Sequence, residues 1–319
     1  MTVPRQHHYL PKFYLKGFTA AHQKKPKVYV FDLQKNSWLE KPTNIKNIGT
    51  IRDFNRIEVD GHSPDALEKS LSTFEADVSQ ALRRVCEATT MPQDEDLVYI
   101  MNLIALISIR NPRVRKSHDR FLKDVIERIT DLTLATKERY ESSVRQMKAA
   151  GYGNDTQDVS YEDMLKFHDE KQYTIEINNG MFVAGEFHAF DSVVKLLWKR
   201  DWTFLKAGKG AGHFVCSDHP AYLRWSDPKL ANGFYPPGHG LKGTDVVFPL
   251  SQDTALLGTF EAEERFITAN RQIVALINTL ILEGCDRQVY SPKGDFDILS
   301  KGNHAISFNK IRQENSQTM

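Results

Sequence analysis

The sequence predicts a helix-rich α+β fold. Three observations carry this expectation: amphipathic stripes of helical period through the middle of the chain, a β-branched and aromatic hairpin signal near the start, and a concentration of strand-length apolar runs after Arg200. The sheet is therefore expected to be mostly antiparallel, built largely from the C-terminal third together with the N-terminal hairpin.

Taken in order, the run Arg5 to Phe18 packs His7, His8 and Arg5 against Tyr9, Phe13, Tyr14 and Phe18, and reads as a helical opening. Val28-Tyr29-Val30-Phe31-Asp32-Leu33 is strand-like, and Asn36-Ser37 supplies a turn before Trp38-Leu39, which predicts a hairpin. Ile48 to Val59 is polar and irregular, a loop with one strand at most, and Asp60-Gly61 marks a turn. Ser63-Pro64-Asp65 then combines an N-cap, a proline at the first helical position and an acid at the positive end of the dipole. The helix that follows carries Leu67, Leu71, Phe74, Val78, Leu82 and Val85 on one face.

Met91-Pro92 ends that helix, and Asp94, Glu95 and Asp96 start the next, which is apolar nearly all round and so is expected at the centre. Pro112 bends or ends it. From Val114 to about Ala150 a charged outer helix is expected, with a thinner stripe of Phe121, Val125, Ile129, Leu132 and Val144. Gly151 to Asp155 is a break, and a second helical region runs from about Tyr161 to Lys199, with Thr174 to Ile177 ambiguous. After Arg200, Trp202–Leu205, His213–Cys216, Val246–Leu250 and Ala255–Gly258 read as strands. The glycine-rich piece Gly208 to Gly212 reads as a hairpin loop between two of them, and Asn232 to Gly240 as a long loop of the kind that borders sites. Glu261 to Cys285 is expected to be helical. The whole is expected to form one domain, residues 1–312, with a disordered tail over 313–319.

Composition bounds the function. A length of 319 residues with 40% hydrophobic residues supports a sizeable core. Lys+Arg 42 against Asp+Glu 41 leaves a formal net charge of +1, so no global field steers the chain to nucleic acid or to an acidic membrane, and any basic site must be local. Cys86, Cys216 and Cys285 are an odd, widely spaced set, which suits a reducing compartment. His7, His8, Lys12 and Lys16 interrupt every run that could serve as a signal peptide, and Leu97 to Ile109 falls short of the roughly 20 residues of a membrane span. A cytoplasmic protein without membrane association is the expectation.

Several residues could carry chemistry. His8 could act as a proton shuttle, or it could simply satisfy backbone groups where the opening packs on the sheet; adjacent His7 must point elsewhere. Asp218, in Ser217-Asp218-His219-Pro220, follows an apolar strand, where ligands often gather, although an Asx turn needs the same carboxylate. Glu68 and Glu75 lie two helical turns apart on one side, placed to hold a cation or to pair with arginine. Arg110-Asn111-Pro112-Arg113-Val114-Arg115-Lys116-Ser117-His118 is the best anion site, a local basic patch suited to nucleic acid or a phosphate-bearing ligand. Arg113 and His118 also match the Arg-x4-His spacing of helical ribonucleases, but that pattern arises easily by chance and Pro112 interrupts the helix those enzymes need; a basic helix end complementing the dipole is the simpler explanation of the run. No phosphate loop, dinucleotide glycine motif, His-Glu-x-x-His or nucleophile elbow is present, so no nucleotide cofactor is expected. Cys216 reads as an inert core thiol.

His8-Tyr9 with Pro11, Tyr14, Leu15 and Phe18; Asp65, Glu68 and Glu75; Arg110 with Pro112; Ser217-Asp218 with Pro220; Phe248-Pro249-Leu250-Ser251; and Asn270 together resemble, in order and spacing, the domain of unknown function 4238 family, which is mainly bacterial. The resemblance covers nearly the whole chain and implies no particular reaction. His219 stands where asparagine is expected, so no role transfers to it. The polar positions it shares come from distant regions, which leads to the expectation that His8, Glu68, Glu75, Arg110, Asp218 and Asn270 converge on one pocket between the helical layer and the sheet.

Two functional classes follow. In the first, a metal-assisted hydrolase of the nuclease or phosphoesterase type, Asp218, Glu68 and Glu75 hold a divalent Mg or Mn ion. His8 moves the proton, Arg110 clamps the phosphate, and Arg113, Asn270 and Tyr9 contact substrate. In the second, the protein is a non-catalytic binding or sensor protein, with bacterial conflict or phage defence as its setting, and the same groups form a buried polar network. Oligomeric state is not legible.

Overall fold

A computed structural model describes residues 5–20, 25–57, 66–153, 158–231, 233, 235–261, 263 and 265–316, with side chains at all of these except 66–69 and 315–316. The helix cap expected at Ser63-Pro64-Asp65 lies outside the described residues. The chain divides into two compact units, one formed by Met1–Arg113 with Val183–Met319 and the other by Val114–Phe182.

In chain order, the elements begin with β1 (Gln6–His8), α1 (Lys12–Lys16), β2 (Lys27–Asp32), β3 (Ser37–Trp38), β4 (Thr43–Asn44) and β5 (Thr50–Arg52). Four longer helices and two shorter ones follow: α2 (Ala66–Glu87), α3 (Asp94–Ile109), α4 (Pro112–Leu134), α5 (Lys137–Ala149), α6 (Tyr161–Asp169) and α7 (Asn179–Leu197). The remainder comprises β6 (Asp201–Ala207), β7 (Cys216–Ser217), β8 (Tyr222–Trp225), β9 (Thr244–Ser251), β10 (Thr254–Thr259), β11 (Arg265–Ala269), α8 (Arg271–Gly284), β12 (Gln288–Ser291), β13 (Asp297–Leu299), β14 (Ala305–Ser307) and α9 (Phe308–Ser316). This is a helix-rich α+β arrangement with mostly antiparallel sheets.

The larger unit holds two five-stranded sheets. One has the order β11-β6-β10-β9-β8, antiparallel except for the β11–β6 pair; the other runs β3-β2-β12-β7, with β4 added on β2. The predicted hairpin is β2 and β3, where Phe31 lies opposite Trp38. β1 pairs with β5, so the opening residues are held as a strand before α1 begins. Tyr14 on α1 stacks on Phe248 of β9 with centroids 5.2 Å apart and donates from its hydroxyl to the Pro249 carbonyl at 2.7 Å, which fastens the N-terminus to the sheet. The α2 stripe buries Leu71, Val78, Leu82 and Val85, and α3 buries Ile100, Leu103, Ile104 and Ile107, the central position its all-round apolarity predicts.

Four expectations need correcting. Gly208 to Gly212 is no hairpin loop: β6 and β7 belong to different sheets, and the glycines carry the chain between them, with Gly210 and Gly212 at positive φ. Glu261 to Cys285 is not one helix, because β11 forms first and Asn270 caps α8. The outer helix is two, α4 and α5, and Thr136 starts the second by accepting from the Arg139 amide. Residues 313–316 of the expected disordered tail are the last turn of α9.

The apolar helix ends just before Pro112, as the proline predicts. α3 closes at Arg110, and Pro112 is the first residue of α4, where its missing N–H is harmless. In the smaller unit, Tyr140 donates to the Val159 carbonyl at 2.8 Å and Tyr161 to the Leu134 carbonyl at 2.9 Å, which tie α4, α5 and α6 together. Among the described residues no single helix is long and apolar enough to cross a membrane.

Candidate functional site

A polar cavity of about 350 Å³ opens in the larger unit where four pieces of chain meet: Tyr9 after β1, the segment Asn47 to Ile51, the α3–α4 junction at Asn111 to Arg113, and Asp218 with the turn Asp286 to Gln288. Each piece is fixed by a specific contact. The Tyr9 amide donates to the Gly49 carbonyl at 2.9 Å, which sets the first piece on the second. Asn111 donates from its side-chain amide to the Asp218 carbonyl at 3.0 Å and accepts from the Arg113 amide at 2.9 Å, which caps the helix start while holding the residue itself against the end of β7.

Asp218 holds the fourth piece. Its Oδ1 accepts from the Asp286 amide at 2.9 Å and from the Cys285 thiol at 3.3 Å; its Oδ2 accepts from the amides of Arg287 at 2.8 Å and Gln288 at 3.0 Å. Burial pushes its carboxyl above the usual carboxylate range, and these N–H groups pull it back. A carboxylate has about four lone-pair positions, and all are taken. Neither the expected metal-ligand role nor a catalytic one fits Asp218: a cation would have to displace hydrogen bonds that shape the turn. Among the described residues no group of three or more His, Cys, Asp and Glu is placed to hold a metal ion.

The electrostatics of the cavity centre on Arg113. Its guanidinium is exposed, makes one long hydrogen bond from Nη1 to the Gly284 carbonyl at 3.4 Å, and among the described residues pairs with no carboxylate. Arg287, by contrast, is committed, donating through Nε and Nη2 to the buried Asp32 carboxylate at 3.0 and 2.9 Å. Burial, aided by the nearby Arg113 charge, holds His219 down to about 4, so its imidazole is neutral, and its buried Nδ1 has no hydrogen-bond partner among the described residues. Burial and the adjacent Asp218 charge raise the Tyr9 hydroxyl, which hydrogen-bonds Tyr290.

Three of the sequence-predicted residues, Tyr9, Arg113 and Asp218, thus border one cavity, and the others whose side chains are described do not join them. Arg110 is buried and donates to the Asn55 side chain at 2.6 Å; it lines a separate, apolar cavity of about 230 Å³ with Leu71, Phe74 and Glu186. His7 accepts at Nδ1 from the Asn55 amide at 2.8 Å, and so joins Arg110 in a structural chain. Half-buried His8 sits opposite Thr50 in the β1–β5 pair and lines neither cavity. Glu75 is half-buried on α2, also outside both linings, and the Glu68 side chain lies outside the described residues. Asn270 is no substrate ligand: its Oδ1 accepts from the Ile273 amide at 3.0 Å as the cap of α8. The basic run is not one exposed face either, since Arg110 and Arg115 are both buried. The six shared polar positions therefore do not converge on a single pocket.

The family model for Protein of unknown function (DUF4238) matches residues 6–295. The chain belongs to this family. Curated proteins and solved structures, compared in the same way, yield no match. The DUF4238 match runs through both compact units and covers every residue of the polar cavity, from Tyr9 to Gln288. Sequence reasoning missed Asp32 and Arg287 in this DUF4238 chain, and took Asn111 only as part of the basic run without its capping role. Asn111 was detectable as an N-cap before a proline at the first helical position; Arg287 and Asp32, brought together from opposite ends of the chain, left no local signal.

Proposed function

We propose that this protein is a non-catalytic binding protein whose polar cavity takes a small phosphate monoester. The observation that carries this reading is Arg113: an arginine without a carboxylate partner among the described residues, facing a cavity bordered by the hydrogen-bonding groups of Asn47, Thr50 and Gln288. A planar guanidinium with most of its N–H donors uncommitted suits a phosphate oxygen pair. The volume stands at the lower end of small-molecule sites, which favours a sugar phosphate or nucleoside monophosphate over a polymer. Asp286 at the rim gives the ligand's hydroxyl or amino groups an acceptor. Catalysis draws no support from the same groups, because Asp218 is saturated and His219 has no hydrogen-bonded partner at Nδ1 to orient it as a base.

The test is calorimetric titration of the full chain with inorganic phosphate, ribose 5-phosphate and adenosine monophosphate, alongside Arg113→Ala, with released phosphate followed over hours. Saturable binding of a monoester that is lost in Arg113→Ala, without phosphate release, is the expected result. Equal binding by the variant, or no binding by any of the three, overturns the reading; sustained phosphate release assigns the cavity to an enzyme instead.

A further inference from the structure

A second cavity, of about 580 Å³, lies among α1, α2 and β9, and its chemistry differs from that of the polar one. Phe13 from α1, Leu82 from α2 and Leu250 from β9 supply an apolar lining. Gly17 allows the close approach of α1 to the strand, since a Cβ there would stand 3.0 Å from the Leu250 carbonyl oxygen. Cys86 contributes a thiol that burial raises above its ordinary range and that hydrogen-bonds Ser251.

The charge of this lining is one-sided. Among the described residues, Lys16 and Arg83 are its only charged ones, both are exposed, and neither side chain makes a hydrogen bond or ion pair. On a chain with nearly equal numbers of acids and bases, two unpaired cations at the mouth of an apolar cavity that contains no carboxylate form a complementary site for an anion with a greasy body. Lys206, a further nearby cation, is already committed to the Cys86 carbonyl and to the Thr254 hydroxyl, so it leaves the recognition to Lys16 and Arg83.

We infer that the cavity among α1, α2 and β9 binds an amphipathic monoanion, a medium-chain carboxylate whose head group lies between Lys16 and Arg83 and whose alkyl chain lies against Phe13 and the exposed edge of Leu82, with fully buried Leu250 forming the floor behind them. This site is separate from the polar cavity and does not depend on what that cavity binds. A longer apolar tail adds affinity in proportion to the area it removes from water, while the head group fixes direction.

The experiment titrates the full chain with decanoate, decanol, decyltrimethylammonium and acetate, each below its aggregation threshold, and maps alkylation of Cys86 by iodoacetamide at alkaline pH with and without decanoate. The expected outcome is one saturable decanoate site per chain, decanol and acetate weaker by at least about tenfold, no binding of the cationic amphiphile, and slowed alkylation at Cys86. Lys16→Gln and Arg83→Gln, both at exposed positions and checked for an unchanged melting temperature, each weaken decanoate by about five- to tenfold. Decanol binding as tightly as decanoate, unsaturable uptake, unchanged affinity in both variants, or an unprotected Cys86 overturns the inference.

Discussion

Asn111 joins Arg113 to Asp218: its side-chain oxygen accepts from the Arg113 amide at 2.9 Å, and its side-chain nitrogen donates to the Asp218 carbonyl at 3.0 Å. The residue that caps α4 therefore also fixes the backbone position from which Arg113 reaches the cavity. Asn111→Ala removes the cap and the tether together, with an expected loss of about 1–2 kcal/mol in stability and a several-fold loss in phosphate-monoester affinity. Asn111→Asp keeps the capping acceptor and loses the donor, so it recovers part of the stability and little of the affinity. Urea unfolding and calorimetric titration of the two variants separate these effects; equal affinity in all three proteins refutes a positioning role.

Asp218 gives a sharper stability prediction. Its carboxylate gathers the amides of Asp286, Arg287 and Gln288, which have no other acceptor in view once it is gone. Asp218→Ala leaves three N–H groups to find water at the edge of a sheet, at an expected cost of about 3 kcal/mol. Asp218→Asn retains one acceptor oxygen and turns an NH₂ toward the remaining donors, so it costs nearly as much. Amide hydrogen exchange at Arg287 and Gln288 checks the mechanism: both amides lose protection in either variant, and retained protection contradicts the anchoring role.

The contrast between Asp218 and Arg110 shows what a sequence can reveal here. Asp218 was legible in position, just past an apolar strand, but its role was set by a turn far along the chain that closes onto it. Arg110 and Arg113 looked like one basic cluster, yet the helix break between them turns them to different cavities. Helices were read well, because the period of Leu71, Val78, Leu82 and Val85 is a local property of one face. Strand partners were not, because pairing is non-local: nothing near Cys216 says that β7 joins β12 rather than β6. β11 was absorbed into a helix for a related reason, its five residues being too few for alternation to outweigh the strong helical period that begins at Arg271.

Three histidines make stability depend on pH. Burial holds His213, His219 and His239 down to about 4, helped by the charges of Lys293, Arg113 and Arg200 respectively. In the unfolded chain each returns to about 6.5. Between these values the unfolded state binds more protons, so stability is fully present above about pH 7 and declines as pH falls through 6.5 toward 4, each residue adding a slope of up to about 1.4 kcal/mol per pH unit. Urea midpoints between pH 5 and 7, above most carboxylate titration, should fall with acidity, and His213→Gln should flatten the slope. A flat wild-type profile over this window contradicts the neutral assignment.

Within the smaller unit, His168 sits between two partners: its Nε2 is 2.6 Å from Asp131 Oδ1 and its Nδ1 is 2.6 Å from the Tyr173 hydroxyl. The ring is buried, whereas the Asp131 side chain is largely exposed. This ties α6 to α4 on one side and to the segment after α6 on the other. Because water already competes for Asp131, Asp131→Asn is expected to cost under about 1 kcal/mol, whereas Tyr173→Phe removes a shielded hydroxyl contact and costs about 1 kcal/mol. His168→Ala loses both bonds and leaves a void, for an expected total of about 2–3 kcal/mol. Hydrogen exchange locates the effect: since residues 114–182 form a compact unit of their own, His168→Ala should raise exchange across α5 and α6 while the amides of Arg287 and Gln288 keep their protection. A uniform rise through both units instead shows that the two open together.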